Sequence, residues 1–257
     1  MLKEFLSCTV DGSTAEIKLA RPKQYNSFNA GLRRELVDTI KELEDRDEVR
    51  LIVLRGSGPG FTAGADLNEP FPPPISEHLE CEYRPIFEAI NNSKLLIIAA
   101  VHGSAAGIGA ALAMTCDFLI MSESARISVI FSNIGLVPDG GSTWFLHQAL
   151  GYRKALQLVV EGGYLSAADC LQYGIANKVV KDSELEVESK KWADALSKRA
   201  PLANEAAKRL LRAVSNKSYG EAFESEALEQ DKLSVSEDFH NARIAFLKKV
   251  KPKFMGR

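Results

Sequence analysis

Asp139 is the carboxylate best placed to do chemistry in this chain. It stands on the turn Val137 to Ser142 (VPDGGS), whose glycines let other backbone or a small molecule come close. A second group lies upstream. The seven apolar residues Leu95 to Val101 are too few to span a membrane and predict a buried strand that ends by Gly103. Gly107 and Gly109 then permit a tight turn into an Ala/Leu/Met helix, and a helix start leaves amide N–H groups without intrahelical partners. Such amides can hold a developing negative charge. Amides for an oxyanion and one acid for a proton indicate enolate chemistry. Plainer roles fit the same residues: glycine turns allow close strand–helix packing, and Pro-Asp-Gly is an ordinary β-turn sequence.

A separate turn of similar character shifts that balance. Arg55 to Leu67 (RGSGPGFTAGADL) follows the apolar strand Leu51 to Leu54, and Gly56, Gly58 and Gly60 make its first half flexible. No Lys-Ser/Thr pair follows the glycines, so this is not a phosphate-cradling P-loop. Neither turn has the G-x-G-x-x-G spacing of a dinucleotide site.

Five segments recur here in a fixed order: Arg21 to Phe28 (RPKQYNSF), Phe61 to Leu67 (FTAGADL), Ala99 to Gly103 (AAVHG), Gly107 to Gly109 with Cys116 and Asp117, and Gly135 to Thr143 (GLVPDGGST). Together they resemble, over essentially the whole chain, the motif series of the crotonase superfamily, the enoyl-CoA hydratase and isomerase family. Ser142 interrupts that family's glycine pair. The resemblance implies an α/β fold, a crotonase-like spiral of ββα repeats over 1–200 carrying the acyl-CoA site, with a C-terminal helical trimerisation region over 201–257. It implies a homotrimer or dimer of trimers, an acyl-CoA thioester as substrate, and no cofactor beyond the coenzyme A of that substrate.

Carried over position by position, the backbone amides of Ala65 and Ile108 are the oxyanion donors. Ala63, Gly64, Asp66, Leu67, Gly107, Phe131, Trp144 and Lys23 line the substrate, and Lys249 and Phe254 approach coenzyme A from the C-terminal tail. The two glutamates with which family hydratases hold a water correspond to Ala111 and Phe131, neither of which can move a proton. Asp139 stands where similar isomerases carry a lone acid. The implied reaction is therefore a shift of a 3-enoyl-CoA double bond to the 2-position, with Asp139 taking a proton from one carbon and returning it to another. Two alternatives within the superfamily remain, a ring-epoxide or dienoyl-CoA isomerase and a dehalogenase-like enzyme in which Asp139 attacks as nucleophile. A third is a non-catalytic acyl-CoA-binding protein, although a binder needs no carboxylate at the reacting carbons. The apolar residues around Asp139, from Val129 to Phe145, are expected to raise its pKa.

Composition agrees with this frame. At 257 residues and 46% hydrophobic content the chain is long enough for one full core with a helical appendage. A net charge of −2, from 32 basic and 34 acidic residues, carries no nucleic-acid footprint. No long apolar run or signal segment is visible, which predicts a soluble cytoplasmic protein with no membrane partner. Cys8, Cys81, Cys116 and Cys170 lack C-x-x-C spacing and read as free thiols; with the dispersed histidines they indicate no metal site.

Periodicity then places the supporting elements. Leu6 to Val10 and Ala15 to Leu19 flank Asp11-Gly12 as a hairpin, and Leu32 to Leu43 has helical spacing. Asp117 to Met121 and Ile175 to Val180 read as further strands. Phe71 to Pro74 precedes an amphipathic segment from Ile75 to Ile90, which the resemblance makes a mobile wall of the acyl pocket and which its own residues fit equally well as a surface linker. Helices are expected from Pro201, Gly220 and Asp238.

Overall fold

The computed structural model describes residues 3–257. It begins with the expected hairpin: β1 (Leu6–Asp11) pairs antiparallel with β2 (Thr14–Leu19), and Gly12 supplies the positive φ between them. Asn29 then caps α1 (Ala30–Glu44) by accepting from Leu32 N–H at 2.8 Å. From α1, Leu32, Leu36, Ile40 and Leu43 point into the core. The chain continues through β3 (Leu51–Gly56), α2 (Ile75–His78), a π-helical turn at Leu79–Tyr83, and α3 (Arg84–Asn92). The Ile75 to Ile90 segment is thus helical almost throughout.

Next come β4 (Leu96–Val101), β5 (Ser104–Ala106), α4 (Ile108–Thr115), β6 (Phe118–Ser122), β7 (Arg126–Ser128) and α5 (Ser142–Glu161). They are followed by β8 (Tyr164–Ser166), α6 (Ala167–Gln172), β9 (Lys178–Val180), α7 (Leu185–Ser197), α8 (Pro201–Ala213), α9 (Tyr219–Ser234) and α10 (Glu237–Leu247).

Strands divide between two sheets. The larger has the order β1-β2-β3-β4-β6-β9, parallel everywhere except at β1; the smaller has the order β5-β7-β8. Isolated parallel bridges join Phe28 to Ala65 and Thr62 to Ala105, so the loop after β3 runs alongside β5. β3 and β4 each lead across glycines, and β6 across Glu123 to Ala125, from the large sheet to a segment that lies on the small one. That is the ββα spiral. Period-two alternation along β3 explains the burial: Ile52 and Leu54 face the main core with α1, whereas Leu51 and Val53 face Leu185 and Ala193 of α7.

Two expectations need correction. The segment between Gly103 and Gly107 is not a bare turn, because Ser104–Ala106 pairs with β7 as β5. The strand expected over Ile175 to Val180 is reduced to its last three residues, since the amides of Ile175 and Ala176 both donate to Cys170 O and close α6 instead.

The C-terminal helices are held unevenly. Lys208 of α8 is buried and donates to Asp117, Ile90 O and Leu95 O, each at 2.8–2.9 Å, pinning α8 to the core. Beyond it, Phe223 and Leu228 of α9, Phe246 and Leu247 of α10, and Val235 between the two helices remain exposed. The final residues fold back: buried Asp238 accepts from Met255 and Gly256 N–H, and Arg50 donates to Phe254 O at 2.7 Å. Among the described residues no helix is long and apolar enough to cross a membrane.

Candidate functional site

The loop after β3 is held by its neighbours as well as by its own hydrogen bonds, among them Gly64 N–H to Thr62 Oγ1 at 3.1 Å. Phe28 N–H donates to Gly64 O at 2.7 Å, and Asp66 N–H donates to Phe28 O at 3.1 Å. These two bonds bracket Ala65 as one rung of a parallel bridge, which turns the Ala65 N–H to the opposite edge. Among the described residues the Ala65 amide has no acceptor. Beneath the loop, Asn26 donates to the carbonyls of Ser57, Gly60 and Phe61, and Thr62 Oγ1 donates to Asn26 O. Ala63 N–H donates to Tyr25 O, so the exposed turn carrying Lys23 lies against this loop.

The second turn meets the first at backbone contact. Gly107, at φ +55°, caps α4 and hands the chain to Ile108, whose amide likewise has no acceptor among the described residues. A Cβ on Gly64 would stand 2.6 Å from Ala106 O and 3.4 Å from Ile108 N, and one on Gly109 would collide with Thr62. Both glycines are therefore required by close approach, not merely by flexibility. Two amides with free donor capacity on touching turns are what an oxyanion needs.

Asp139 reaches the same neighbourhood through Gly140. A Cβ there would fall 2.7 Å from Ala111 Cβ, 2.8 Å from Phe87 and 3.2 Å from the Ile108 side chain, so the Asp139 turn is seated on the start of α4. Phe131, buried, has its ring tip beside Gly107. Alanine and phenylalanine thus fill the space against both glycines. Ser142, which interrupts the glycine pair, donates its N–H to Asp139 O at 3.0 Å and closes the turn into α5.

The Asp139 carboxyl is half-buried and makes no ion pair among the described residues. Its Oδ1 is buried with no hydrogen-bond partner among the described residues. Burial pushes its pKa up to about 6, offset only in part by its own backbone N–H. A carboxylate so tuned can accept a proton near neutral pH and release it again.

The remaining predicted residues divide. Asp66 is buried but paired, with Arg21 at 2.8 Å and Asn68 at 3.1 Å, so it braces the loop. Leu67 is exposed beside it. Trp144, 51% exposed, packs edge-on against Phe145 on the wall of a cavity of about 690 Å³ that also meets Phe87, Gly140 and Gly141. Phe254 is not brought to Asp139 in its own chain: Arg50, which holds its carbonyl, precedes β3, whereas the Ala65 loop follows β3's other end. Lys249 lies just past α10, exposed at φ +55°.

Sequence reasoning missed Arg33 and Tyr83. Arg33 is 4% exposed and bonds Phe28 O, Glu69, Glu82 and the Tyr83 hydroxyl. Its signal was available: positions 33, 36, 40 and 43 form one helical stripe, and a cation on a buried stripe demands partners. Burial pushes the Tyr83 hydroxyl up to about 12, with the Glu69 and Asp139 charges adding to it against the pull of Arg33.

Residues 9–257 match the family model described as enoyl-CoA hydratase/isomerase. The chain belongs to this family, within the crotonase superfamily. It is 30% identical over 262 residues to 1,2-epoxyphenylacetyl-CoA isomerase of Escherichia coli K12, covering 100% of both chains. To a probable enoyl-CoA hydratase of Rhodobacter capsulatus it is 34% identical over 245 residues, 95% of each chain. The crystal structure of an enoyl-CoA hydratase subunit I from Geobacillus kaustophilus HTA426 superposes with a TM-score of 0.93 at 31% identity, over 99% of each chain. Relatives thus carry both hydratase and isomerase names, and the distinction must come from the site.

Proposed function

We propose that this protein is an acyl-CoA isomerase that moves a double bond from the 3- to the 2-position by proton transfer through Asp139. The observation that carries the reading is the buried Asp139 Oδ1, without a hydrogen-bond partner among the described residues, on a turn seated against Ile108 and Ala111. In the mechanism, the thioester oxygen lies between the Ala65 and Ile108 amides, which stabilise the enolate as it forms. Each such donor contributes roughly 2.7–4 kcal/mol. Asp139 removes the α-proton, and the apolar surroundings keep that proton on the carboxyl until the γ-carbon takes it back. One base in reach of two carbons is sufficient. Water addition is disfavoured because Ala111 and Phe131 stand where the resemblance puts the hydratase glutamates.

The test is wild-type turnover of a 3-enoyl-CoA beside hydration of the matching 2-enoyl-CoA. Isomerisation with little or no hydration is expected; robust hydration overturns the reading. The full-length likeness to an epoxyphenylacetyl-CoA isomerase favours including a ring-epoxide thioester in the same assay, as a second substrate class for the same acid.

Assembly belongs to the same proposal. The exposed apolar side chains of α9 and α10 are best accommodated against other copies of this chain, as a trimer or dimer of trimers. Removal of the segment from Asp238 onward is expected to lower the particle mass in sedimentation and weaken coenzyme A ester binding. Unchanged values for both would remove the tail from the interface.

A further inference from the structure

The buried guanidinium of Arg33 makes more contacts than helix packing calls for. Its Nη1 donates to Phe28 O at 3.1 Å, Glu69 at 2.9 Å and the Tyr83 hydroxyl at 3.3 Å; Nε and Nη2 both donate to Glu82, at 3.2 and 3.1 Å. The guanidinium carbon also sits 4.7 Å from the Tyr83 ring centre, a cation–π distance. Each partner belongs to a different part of the site. Phe28 O is the same carbonyl that accepts from Asp66 N–H, while Phe28 N–H donates to Gly64 O, so residue 28 fixes both peptides that flank Ala65. Glu69 closes the loop that begins at Phe61 and also accepts from Ala30 N–H, the first amide of α1, at 2.8 Å. Glu82 and Tyr83 end the π-helical turn of the helical wall.

We propose that Arg33 is a positioning residue for the oxyanion site: its fork locks the Ala65 peptide, through Phe28 O and Glu69, to the wall segment that carries Tyr83. The inference rests on the reading of Ala65 as an oxyanion donor. Geometry makes arginine necessary. Three nitrogens in one plane serve four separate acceptors, whereas the single ammonium of lysine cannot span them. An amide donor displaced by a fraction of an ångström loses stabilisation of the transition state before it loses ground-state binding.

The experiment compares wild type with Arg33→Lys, Glu69→Gln and the exposed neighbour Arg34→Lys. The readouts are isomerisation kcat and KM, thermal midpoint, and the absorbance of bound dimethylaminocinnamoyl-CoA. That conjugated thioester shifts to the red when donors polarise its carbonyl, whether or not turnover occurs. Arg33→Lys is expected to lower kcat by about 10- to 100-fold with KM within about threefold, and to lose most of the red shift. Glu69→Gln moves both in the same direction by less; Arg34→Lys moves neither. A full red shift in folded Arg33→Lys overturns the Arg33 proposal alone. Absence of any red shift in the wild type instead overturns the oxyanion reading on which it rests. A loss in Arg33→Lys that tracks only the fraction of folded protein reduces Arg33 to a stabilising residue and also overturns the proposal.

Discussion

Two aspartates on glycine-rich turns show how the same residue is put to opposite uses. Asp66 is buried on the loop after β3. Burial alone would raise its pKa, but hydrogen bonds from Arg21 and Asn68 and the Arg21 charge hold it below the ordinary carboxylate range. Asp139 is half-buried on the turn before α5, and no cation among the described residues pairs with it; burial raises it to about 6. A partnered carboxylate is fixed in charge and place and serves as a brace. An unpartnered one is ready to change its charge, which is what proton transfer requires. The difference lies in the neighbours, not in the motif.

Removing the free acid should have the greatest consequence. Asp139→Asn keeps the size and deletes the base, so isomerisation is expected to fall by about 10²- to 10⁴-fold. Ester affinity should stay within a few-fold because the proposed mechanism has backbone amides elsewhere hold the thioester. Steady-state rates and a titration of a non-reacting acyl-CoA check it. Full activity in the variant sinks Asp139 as base. In wild type, kcat/KM should decline as pH is lowered through about 6, where the carboxylate becomes protonated.

Next in size is the proposed oxyanion donor. Ala65→Pro deletes the N–H and is expected to lower the rate by about 10²- to 10³-fold, whereas Ala65→Ser keeps it and should be mild. Equal, small effects in the two variants would take Ala65 out of the chemistry. Phe28 brackets residue 65 from the other edge, so circular dichroism on both variants separates loss of the donor from loss of the loop.

The free acid should also cost the fold stability. The Asp139 pKa is raised on folding, so its contribution favours the folded state at low pH and is lost as pH rises from about 4 through about 6. Two units correspond to about 2–3 kcal/mol. Asp139→Asn is therefore expected to unfold at higher denaturant concentration than wild type at pH 7.5, with the gap narrowing toward pH 4. No gap at pH 7.5 would mean that the carboxyl is solvated.

Much of the spiral was legible in the sequence because apolar periodicity and glycine spacing are local signals. Leu96–Val101, Ala30–Glu44 and the helix starts at 201, 219 and 237 all fall within two residues of expectation. β5 was hidden because three small residues, Ser104 to Ala106, have no period to read; their pairing is decided by β7 far along the chain. For the site, the sequence could name Asp139 and the two turns but not their contact. That depends on Gly64 lying against Ala106 and Gly140 against Ala111, distances no spacing encodes. Arg33 was overlooked for a related reason: a cation on a buried stripe announces that partners exist, without saying which.

Removing the charge of the brace should matter least. Asp66→Asn retains an oxygen for the Arg21 fork but gives up the charge, weakening a charge-assisted bond that is mostly shielded from water. A loss of about 1–2 kcal/mol is expected at neutral pH. Because the folded-state pKa of Asp66 is depressed, its stabilisation is present above the unfolded value and disappears as pH falls through the folded one. The variant and wild type should thus converge in strong acid, the reverse of the trend for Asp139→Asn. The isomerisation rate per folded molecule should fall only a few-fold, since Asp66 N–H, which bonds Phe28 O and helps aim the Ala65 amide, survives the substitution. A loss of rate as large as that of Asp139→Asn would show that Asp66 takes part in the chemistry and that the contrast between brace and base is false.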